Sequence, residues 1–572
     1  MEFNPLNLKK IQQDLCLGSL KEIRIFPWLL NSYSDPEAFW MSLKELYDSL
    51  FKLCASSVPF ESYNFYSDIF VRNSTTDVNV LKYYDLSAQC YEFSYNELQG
   101  RVDRLAFHWK KLGVGPEKRL AVCYPVDIDF LSSVLAGLKL GATICCIPVY
   151  GRNFIQNRLN LIDADFIASP PIYQPFLEEL SGSLLPDIKS CPDNISDIVR
   201  PHVYESGAPV FLAFDPFNPS SPPSEILADE AYLYALRDAL IPMGLSPGDS
   251  LASIDFSSPS KVLPMLLSCM LMGSTYIYLE SETIRRHPNI LNELEVKTLG
   301  ISEGAIDALL DISIDMSKHC IFWFRDPSET TSLDIWQDLI PKLKLQDTFA
   351  FNLRLDPRLC GSSLFSMRIK GQAHHYVFPS AGIDWSLVDP IENDRESLIG
   401  YGELSVASPV EQGDVKCLGD IISSTNKGWI YTMPHIPNLS VLDNLEFPAE
   451  DVLTLLRDSD LSFISGCSVV ALPSNTTGRS KIILLVFTEA DDLPPEEECR
   501  KELSDLISRE IGRRFLPDKI EFFSLCPRHI EDDVIDQTWC RNQYVTGMLQ
   551  KKNKNEVYKI LSGIRKMVLT TN

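Results

Sequence analysis

Residues 209–225 have the outline of a phosphate-binding site. The apolar run at 210–214 predicts a short buried strand, and after the following loop Asp229 is placed to cap a helix. A strand, a loop and a helix N-terminus can hold an anion because several backbone N–H groups point at one position. Such loops normally contain glycine, since the chain must turn through positive φ close to the ligand.

This loop lacks the groups that phosphate binding needs. It contains no glycine and no lysine, and Asp215 would repel a phosphate. Four prolines each remove an N–H donor, namely Pro216, Pro219, Pro222 and Pro223. We therefore predict that the backbone N–H groups of residues 215–224 do not converge on one anion position.

Two similar runs of helices and strands lie on either side of this loop. In the first run the helices end at Gly113 and Gly141, 28 residues apart, and in the second at Gly244 and Gly273, 29 residues apart. Apolar strands follow each helix, which indicates a parallel sheet covered on both faces. We predict an α/β fold whose large N-terminal domain has two similar α/β lobes, with a ligand crevice between them. The alternative is an incidental likeness, because such units are common.

The chain is predicted to have four parts. They are a helical N-terminal extension (1–58), a large domain (59–432), a small α+β C-terminal domain (433–548) and a basic C-terminal helix (549–572). Short segments at 60–85, rich in aromatic and β-branched residues, indicate strands and turns. In the small domain we expect helices at 449–457 and 495–512 and strands at 467–472, 481–487 and 519–523. A docked terminal helix is preferred to a partner-binding one for the basic tail.

Composition excludes several function classes. The 52 basic and 77 acidic residues give a net charge of −25, which disfavours binding to nucleic acid or to anionic membranes. The first ten residues do not have the profile of a secretory signal. The apolar stretch at 262–273 is too short for a transmembrane segment, so it predicts a buried helix.

Cysteine and histidine patterns give no metal site. Fifteen cysteines occur without a C-x-x-C pair, which indicates a reducing, cytoplasmic location. His374 and His375 are adjacent on an expected strand, so their side chains should face opposite sides. No metal ligand is assigned.

Five segments in order resemble the adenylate-forming superfamily, which comprises acyl-CoA synthetases, fatty acyl-AMP ligases and adenylation domains of peptide synthetases. They are Y-E-F-S-Y-N-E-L-Q-G-R-V-D-R-L at 91–105 continued by F-L-S-S-V-L-A-G-L-K-L-G-A-T at 130–143, G-E-L at 402–404, G-D at 419–420, L-E-F-P-A-E-D-V at 445–452, and the segment 527–536. The resemblance covers about 60–539. It implies the adenylate-forming enzyme fold, with a large domain and a small C-terminal domain.

The resemblance also implies three functional groups that this chain replaces. The family's phosphate loop, T-S-G-S-T-G-x-P-K-G, corresponds to residues 214–224. The family's catalytic lysine, which stabilises charge at the carboxylate under attack, corresponds to Val534, beside Asp532 and Asp533. In the segment that replaces the Y-G-x-T-E loop, only Asp356 could offer a carboxylate to Mg²⁺. The hinge arginine expected after Tyr431 is also absent.

Asp420 is the one family ligand that remains. In the family this aspartate accepts hydrogen bonds from both ribose hydroxyls, which a carboxylate does well. The alternative is an aspartate in a tight turn after a strand. We assign Asp420 as a ribose ligand on the condition that a nucleotide binds, and we assign no catalytic residue.

We therefore interpret the chain as a degenerate adenylate-forming protein, a pseudoenzyme of lipid metabolism. It would bind an acyl ligand or an acyl-carrier protein without conventional ATP-dependent activation of a carboxylate. The alternatives are an active acyl-adenylating ligase and a non-catalytic interaction module. ATP or AMP and Mg²⁺ would be cofactors only of the ligase, in which Arg354, Arg358 or Arg368 could meet the phosphates.

Overall fold

The structure is a computed structural model that describes residues 6–50, 62–73, 78–177, 182–192, 198–216, 221–256, 258–328, 332–388, 396–397, 400–407, 415–425, 430–432, 447–472, 481–488, 495–531 and 534–555. It divides into two compact units. The larger unit comprises Met1–Val149, Leu159–Asp215 and Ser221–Pro434, and the smaller unit comprises Tyr150–Arg158, Pro216–Ser220 and His435–Asn572. Because neither unit is one continuous stretch, the predicted domain bounds remain predictions.

The helices of the described residues are α1 Leu8–Leu15, α2 Pro27–Ser34, α3 Pro36–Leu50, α4 Phe65–Asn73, α5 Tyr95–Lys111, α6 Ile128–Leu140, α7 Arg152–Ile162, α8 Gln174–Leu177, α9 Ala228–Leu240, α10 Pro259–Met272, α11 Ser281–Arg286, α12 Ile306–Leu310, α13 Leu333–Lys342, α14 Ala449–Arg457, α15 Glu496–Ile507, α16 Gln537–Val545 and α17 Met548–Asn553.

The strands are β1 Cys16–Leu17, β2 Ser62–Tyr63, β3 Asn79–Tyr84, β4 Cys90–Ser94, β5 Arg119–Val122, β6 Thr143–Cys146, β7 Phe166–Ala168, β8 Ser183–Leu184, β9 Tyr204–Glu205, β10 Pro209–Ala213, β11 Ser224–Leu227, β12 Ser250–Ile254, β13 Thr275–Leu279, β14 Thr298–Ile301, β15 Phe322–Arg325, β16 Phe349–Asp356, β17 Gly361–Phe365, β18 Arg368–Lys370, β19 Tyr376–Pro379, β20 Asp384–Val388, β21 Glu396–Ser397, β22 Gly400–Ala407, β23 Lys416–Ser424, β24 Ile430–Thr432, β25 Ile464–Leu472, β26 Lys481–Thr488, β27 Lys519–Phe523, β28 His529–Glu531 and β29 Val534–Ile535.

Two large sheets form the larger unit. One has the order β21-β20-β22-β23-β24-β19-β17-β16-β15-β14-β12-β13-β3-β4, with β18 paired to β16 and β1 paired to β18, and the other has the order β11-β10-β6-β5-β7-β8. The strands from β3 to β16 at the centre of the first sheet are parallel, as are those from β10 to β8 in the second. The predicted α/β fold with two similar lobes is confirmed.

The repeated unit explains the spaced glycines. The order α5-β5-α6-β6 returns as α9-β12-α10-β13, and in each case the two strands pair in parallel. Gly141 and Gly273 end α6 and α10 with φ of 88° and 64°, and their N–H groups donate to carbonyls of the last helical turn. Glycine suits both positions because L side chains are strained in this left-handed region.

The segment after residue 209 differs from the prediction. The loop does not lead directly into a helix, because β11 pairs antiparallel with β10 before α9 begins. The residue that precedes α9 is Leu227, whose N–H donates to the Glu230 carboxylate at 3.1 Å. Asp229 is the second residue of the helix, so its predicted capping role is wrong. Its Oδ1 accepts instead from the N–H of Glu230 at 2.9 Å.

The N-terminal helices pack on the larger unit. Tyr47 donates a hydrogen bond to the carbonyl of Leu271 at 2.7 Å, and the indole of Trp40 donates to the carbonyl of Gly382 at 3.0 Å. The expectation of strands and turns at 60–85 is wrong for α4. That helix buries Phe65, Ile69 and Phe70 on one face, so helical packing overrides their preference for strands.

The smaller unit has the predicted α+β pattern. Strands β25 and β26 pair antiparallel, β26 and β27 pair parallel, and α14 and α15 have the expected positions. The hairpin β28–β29 and helix α16 were not predicted. Val534 begins β29, while Asp532, Asp533 and most of the basic tail lie outside the described residues.

Helix α10 confirms the buried helix expected at 262–273. Its residues Leu266, Leu267 and Met270 are almost fully buried in the main core, and Pro264 lies within the helix. Among the residues that the structure describes, none of the helices has the length and apolarity required to cross a membrane.

Candidate functional site

Charged side chains gather where parallel strands of the main sheet end. Arg325 is the last residue of β15, and Asp326 follows it. Arg354 and Asp356 lie at the carboxyl end of β16, and Asp420 lies in β23. Because β15 and β16 are parallel, their carboxyl ends meet at one edge of the sheet, where ligands of open α/β folds usually bind.

Arg354 joins two carboxylates at this edge. Its Nη1 lies 2.9 Å from Asp326 Oδ2, and its Nε lies 3.1 Å from Asp420 Oδ2. The side chains of Arg354 and Asp420 are only 2% and 3% exposed. The carboxylate predicted to bind ribose therefore already accepts a charged hydrogen bond from within the chain.

Neighbouring charges keep Asp326 and Arg354 ionised. Burial acts to raise the pKa of Asp326, but the charges of Arg354 and Lys261 and hydrogen bonds from Ser328 outweigh it, so the pKa lies below its usual value. Burial acts to lower the pKa of Arg354, but the charges of Asp326 and Asp420 outweigh this effect, so the pKa lies above its usual value. The result is a buried ion network with fixed charges.

Arg358 forms a second network beside the first. Its Nη2 lies 2.9 Å from Asp356 Oδ2, its Nε donates to Asp356 Oδ1 at 3.1 Å, and its Nη1 lies 3.1 Å from Asp215 Oδ2. Arg358 also donates to the carbonyls of Cys417 and Leu418. Both oxygens of Asp356, the carboxylate that the sequence offered to Mg²⁺, thus already accept from a guanidinium, and Asp215 is paired with the same arginine.

Lys416 ties β23 to the start of α9. Its ammonium group lies 3.0 Å and 3.1 Å from the two oxygens of Glu230, which is buried. It also donates to the backbone carbonyl of Arg358 at 3.3 Å. Lys416 therefore connects the β10–β11 hairpin region to the Arg358 network.

The two histidines lie next to this cluster. The amide of Asn352 is 3.1 Å from His374 Nδ1, and Arg325 Nη2 is 3.3 Å from His375 Nδ1. Burial and then the charge of Arg325 lower the pKa of His374 to about 3 and that of His375 to about 4, so both are neutral at pH 7. The described residues contain no group of three or more His, Cys, Asp or Glu side chains that could hold a metal ion.

Sequence reasoning found some of these residues and missed others. The structure brings together Asp420, Asp356, Arg354, Arg358 and Asp215 in one part of the larger unit. Arg368 lies elsewhere and contacts Gln12 and the carbonyls of Ile241 and Pro242. Asp326 was missed. Its signal is a charged pair directly after the apolar run F-W-F, at the end of a predicted strand.

Comparison with curated proteins finds weak sequence relatives. The chain is 36% identical to nonribosomal peptide synthetase 4 of Gibberella zeae over 95 residues, which are 16% of this chain and 1% of that protein. It is 21% identical to nonribosomal peptide synthetase 5 of the same organism over 326 residues, 56% of this chain and 3% of that protein. The chain spans less than a tenth of the length of these relatives. No family model matches.

Comparison with solved structures covers most of the chain. An o-succinylbenzoate CoA synthetase from Bacillus subtilis has a TM-score of 0.67 at 13% identity, over 84% of this chain and 98% of that one. A fatty acyl-adenylate ligase from L. pneumophila, solved with acyl adenylate and pyrophosphate, has a TM-score of 0.62 at 12% identity, over 85% and 96%. These likenesses establish the fold.

Proposed function

Because the chain has the fold of the adenylate-forming superfamily, we propose that it is a degenerate member, which binds an acyl or acyl-carrier ligand without conventional ATP-dependent activation of a carboxylate. One observation carries this proposal. The buried carboxylate of Asp420 is held by Arg354 at 3.1 Å, in the place where the family resemblance calls for a ribose.

The Arg354 contact opposes nucleotide binding for a physical reason. A guanidinium–carboxylate hydrogen bond is charge-assisted and about twice as strong as a hydrogen bond between two neutral groups. A ribose would have to compete with Arg354 for Asp420 Oδ2, and displacement of Arg354 would leave a buried guanidinium short of one partner. The exchange is therefore unfavourable unless other contacts compensate.

The remaining contacts do not compensate. Asp356 and Asp215 already share Arg358, so a Mg²⁺ ion would have to compete with a guanidinium for both. The three arginines that could meet phosphates, Arg354, Arg358 and Arg368, are buried and donate to acceptors of the chain itself. These contacts favour the degenerate protein over the active ligase.

The names of the similar proteins support the proposed ligand class. The similar structures are a CoA synthetase and an acyl-adenylate ligase, and the sequence relatives are peptide synthetases. Because an acyl adenylate is named for one of the similar structures, an acyl chain, or an acyl group on a carrier arm, is the ligand that we propose. The free thiols of the cysteines in the described part of the chain agree with a reducing, cytoplasmic location.

The test is carboxylate-dependent ATP–pyrophosphate exchange with a panel of fatty acids and amino acids. We expect no exchange above the enzyme-free background. Asp420→Ala is compared with Asp347→Ala, a matched change at an exposed carboxylate. Exchange that is lost in the first variant and kept in the second would contradict the proposal and favour an active ligase.

A second measurement separates a ligand-binding protein from an interaction module. We expect acyl-CoA or an acyl-phosphopantetheine to raise the melting temperature, because a ligand that binds only the folded state stabilises it by about 2.7 kcal/mol at 100 times its Kd. No shift with any acyl ligand would leave the interaction module as the better hypothesis.

A further inference from the structure

Three aromatic donors of helices α2 and α3 bind main-chain carbonyls elsewhere in the larger unit. The pairs are Tyr33 with the carbonyl of Pro379 at 2.6 Å, Trp40 with that of Gly382 at 3.0 Å and Tyr47 with that of Leu271 at 2.7 Å. The donors stand seven residues apart along the sequence, which is about two helical turns. Residues 27–50, which include both helices, are called the strap below.

Gly382 is contacted by the strap in two further ways. Its N–H donates to Ser32 Oγ at 3.1 Å. A Cβ at Gly382 would lie 2.4 Å from Phe39 Cδ1, so the absence of a side chain allows the strap to approach this closely. The Gly382 amide therefore reports directly whether the strap is docked.

The strap is amphipathic. Leu29, Phe39 and Leu43 are almost fully buried in the main core, whereas Leu30 is 50% exposed. An apolar face that lies in a groove while the other face meets solvent is the usual way in which one helix recognises another surface. The apolar contacts supply area, and the aromatic donors fix the position of the strap along the groove.

The surface under the strap is partly polar. Arg237 Nε lies 2.8 Å from Asp238 Oδ1, and both side chains are buried. The ring of Trp40 lies 5.9 Å from Arg237 Cζ and 5.7 Å from the ring of Tyr234. Carbonyls and an ion pair can be hydrated when a covering segment leaves, whereas a purely apolar surface would promote association. This composition suits a covering that can be released.

We propose that the strap is a releasable internal ligand of a helix-binding groove on α9, the end of α10 and residues 379–382. Release opens the groove and leaves the parallel sheet folded. Rebinding depends on the apolar face and on aromatic donors at seven-residue spacing, and it does not require the covalent connection. The inference does not rest on the proposed function, because it involves neither the ribose position nor an acyl ligand.

The test is hydrogen exchange of the full-length protein, measured by mass spectrometry at Gly382 and in the middle of α10. Phe39→Ser combined with Trp40→Ser weakens the strap and leaves the groove residues unchanged. We expect exchange at Gly382 to rise at least about tenfold, while the middle of α10 stays protected. Leu30→Ser, the control at an exposed position of the strap, should change neither.

Two outcomes of this measurement would overturn the proposal. Unchanged exchange at Gly382 would mean that the strap is not released when its aromatic contacts are lost. An equal rise at Gly382 and in α10 would mean that the strap unfolds only together with the core.

A synthetic peptide of residues 25–50 tests recognition without the covalent connection. Isolated short helices are marginal in water, so the peptide is added to the double variant at about 1 mM. It should restore slow exchange at Gly382, whereas the same peptide with both serine replacements should not. No restoration by the unmodified peptide, or equal restoration by both, would overturn the proposal.

A milder variant decides if the double serine variant does not fold. Tyr33→Phe combined with Tyr47→Phe removes two hydroxyl donors and keeps the aromatic rings in place. The faster exchange at Gly382 and its reversal by the peptide must both appear in this variant. The absence of either one would overturn the proposal.

Discussion

At the scale of the residue, the role of an arginine depends on which groups the fold brings to it. Arg354, Arg358 and Arg368 are equivalent in the sequence, yet the first two neutralise carboxylates and the third faces neutral oxygens and a thiol register partner. A guanidinium fits carboxylates well because its donors match two oxygens at once. In this chain, carboxylates of the protein itself bind Arg354 and Arg358 at the sheet edge where a ligand would be expected.

Asp420→Asn should lower the stability of the protein. The change leaves Arg354 short of one charged partner in a buried site, and breaking a buried ion pair in this way costs about 3 kcal/mol or more. Urea unfolding should show this loss as a reduced midpoint. Asp347→Asn, at a carboxylate that is 85% exposed, should change the free energy of unfolding by less than about 0.5 kcal/mol. Similar values for the two variants would contradict a structural role for Asp420.

At the scale of the element, helix α6 has an N-cap residue, Asp127, whose contribution to stability depends on pH. Asp127 Oδ1 accepts from the N–H groups of Asp129 and Phe130, both at 2.9 Å. Burial raises the pKa of Asp127 to about 6, and these backbone hydrogen bonds only partly offset that effect. Since the folded pKa exceeds the unfolded value of about 3.9, the contribution of Asp127 to stability is complete below about pH 4 and is lost as pH rises through about 6.

Asp127→Asn should therefore stabilise the protein at pH 7 to 8, by roughly 1–2 kcal/mol after allowance for partial exposure of the carboxylate. Asparagine keeps the capping oxygen but carries no charge. Thermal melts of both proteins between pH 4 and pH 8 should converge at the acidic end. Asp129→Asn is the comparison, because it removes the partner of Arg101 and leaves the Asp127 carboxylate at the cap, so it should not reproduce the full gain of Asp127→Asn. A destabilised Asp127→Asn at pH 8 would show that the charge itself is needed at the cap.

The elements that sequence predicts well are those whose signals are local. Helices α6 and α10 end at Gly141 and Gly273, which adopt the left-handed conformation. This signal is local because it depends only on the adjacent helical turn. Strand β11 was missed because it exists through its pairing with β10, not through its own composition. For the same reason the pairing of Arg354 was not predicted, since its partners are 28 and 66 residues away, Asp326 directly after β15 and Asp420 on β23.

At the scale of the whole molecule, the net charge of −25 opposes the approach of polyanions. Non-specific nucleic-acid binding depends on release of counterions by lysine and arginine, and typical dissociation constants are about 10⁻⁴–10⁻⁶ M. We expect no change in the fluorescence anisotropy of a labelled single- or double-stranded oligonucleotide at about 10 μM protein and 150 mM salt. A basic protein of similar size is the positive control. A second titration at low salt tests for a local basic surface. Binding that appears at low salt and falls steeply with added salt would mean that such a surface overrides the net charge.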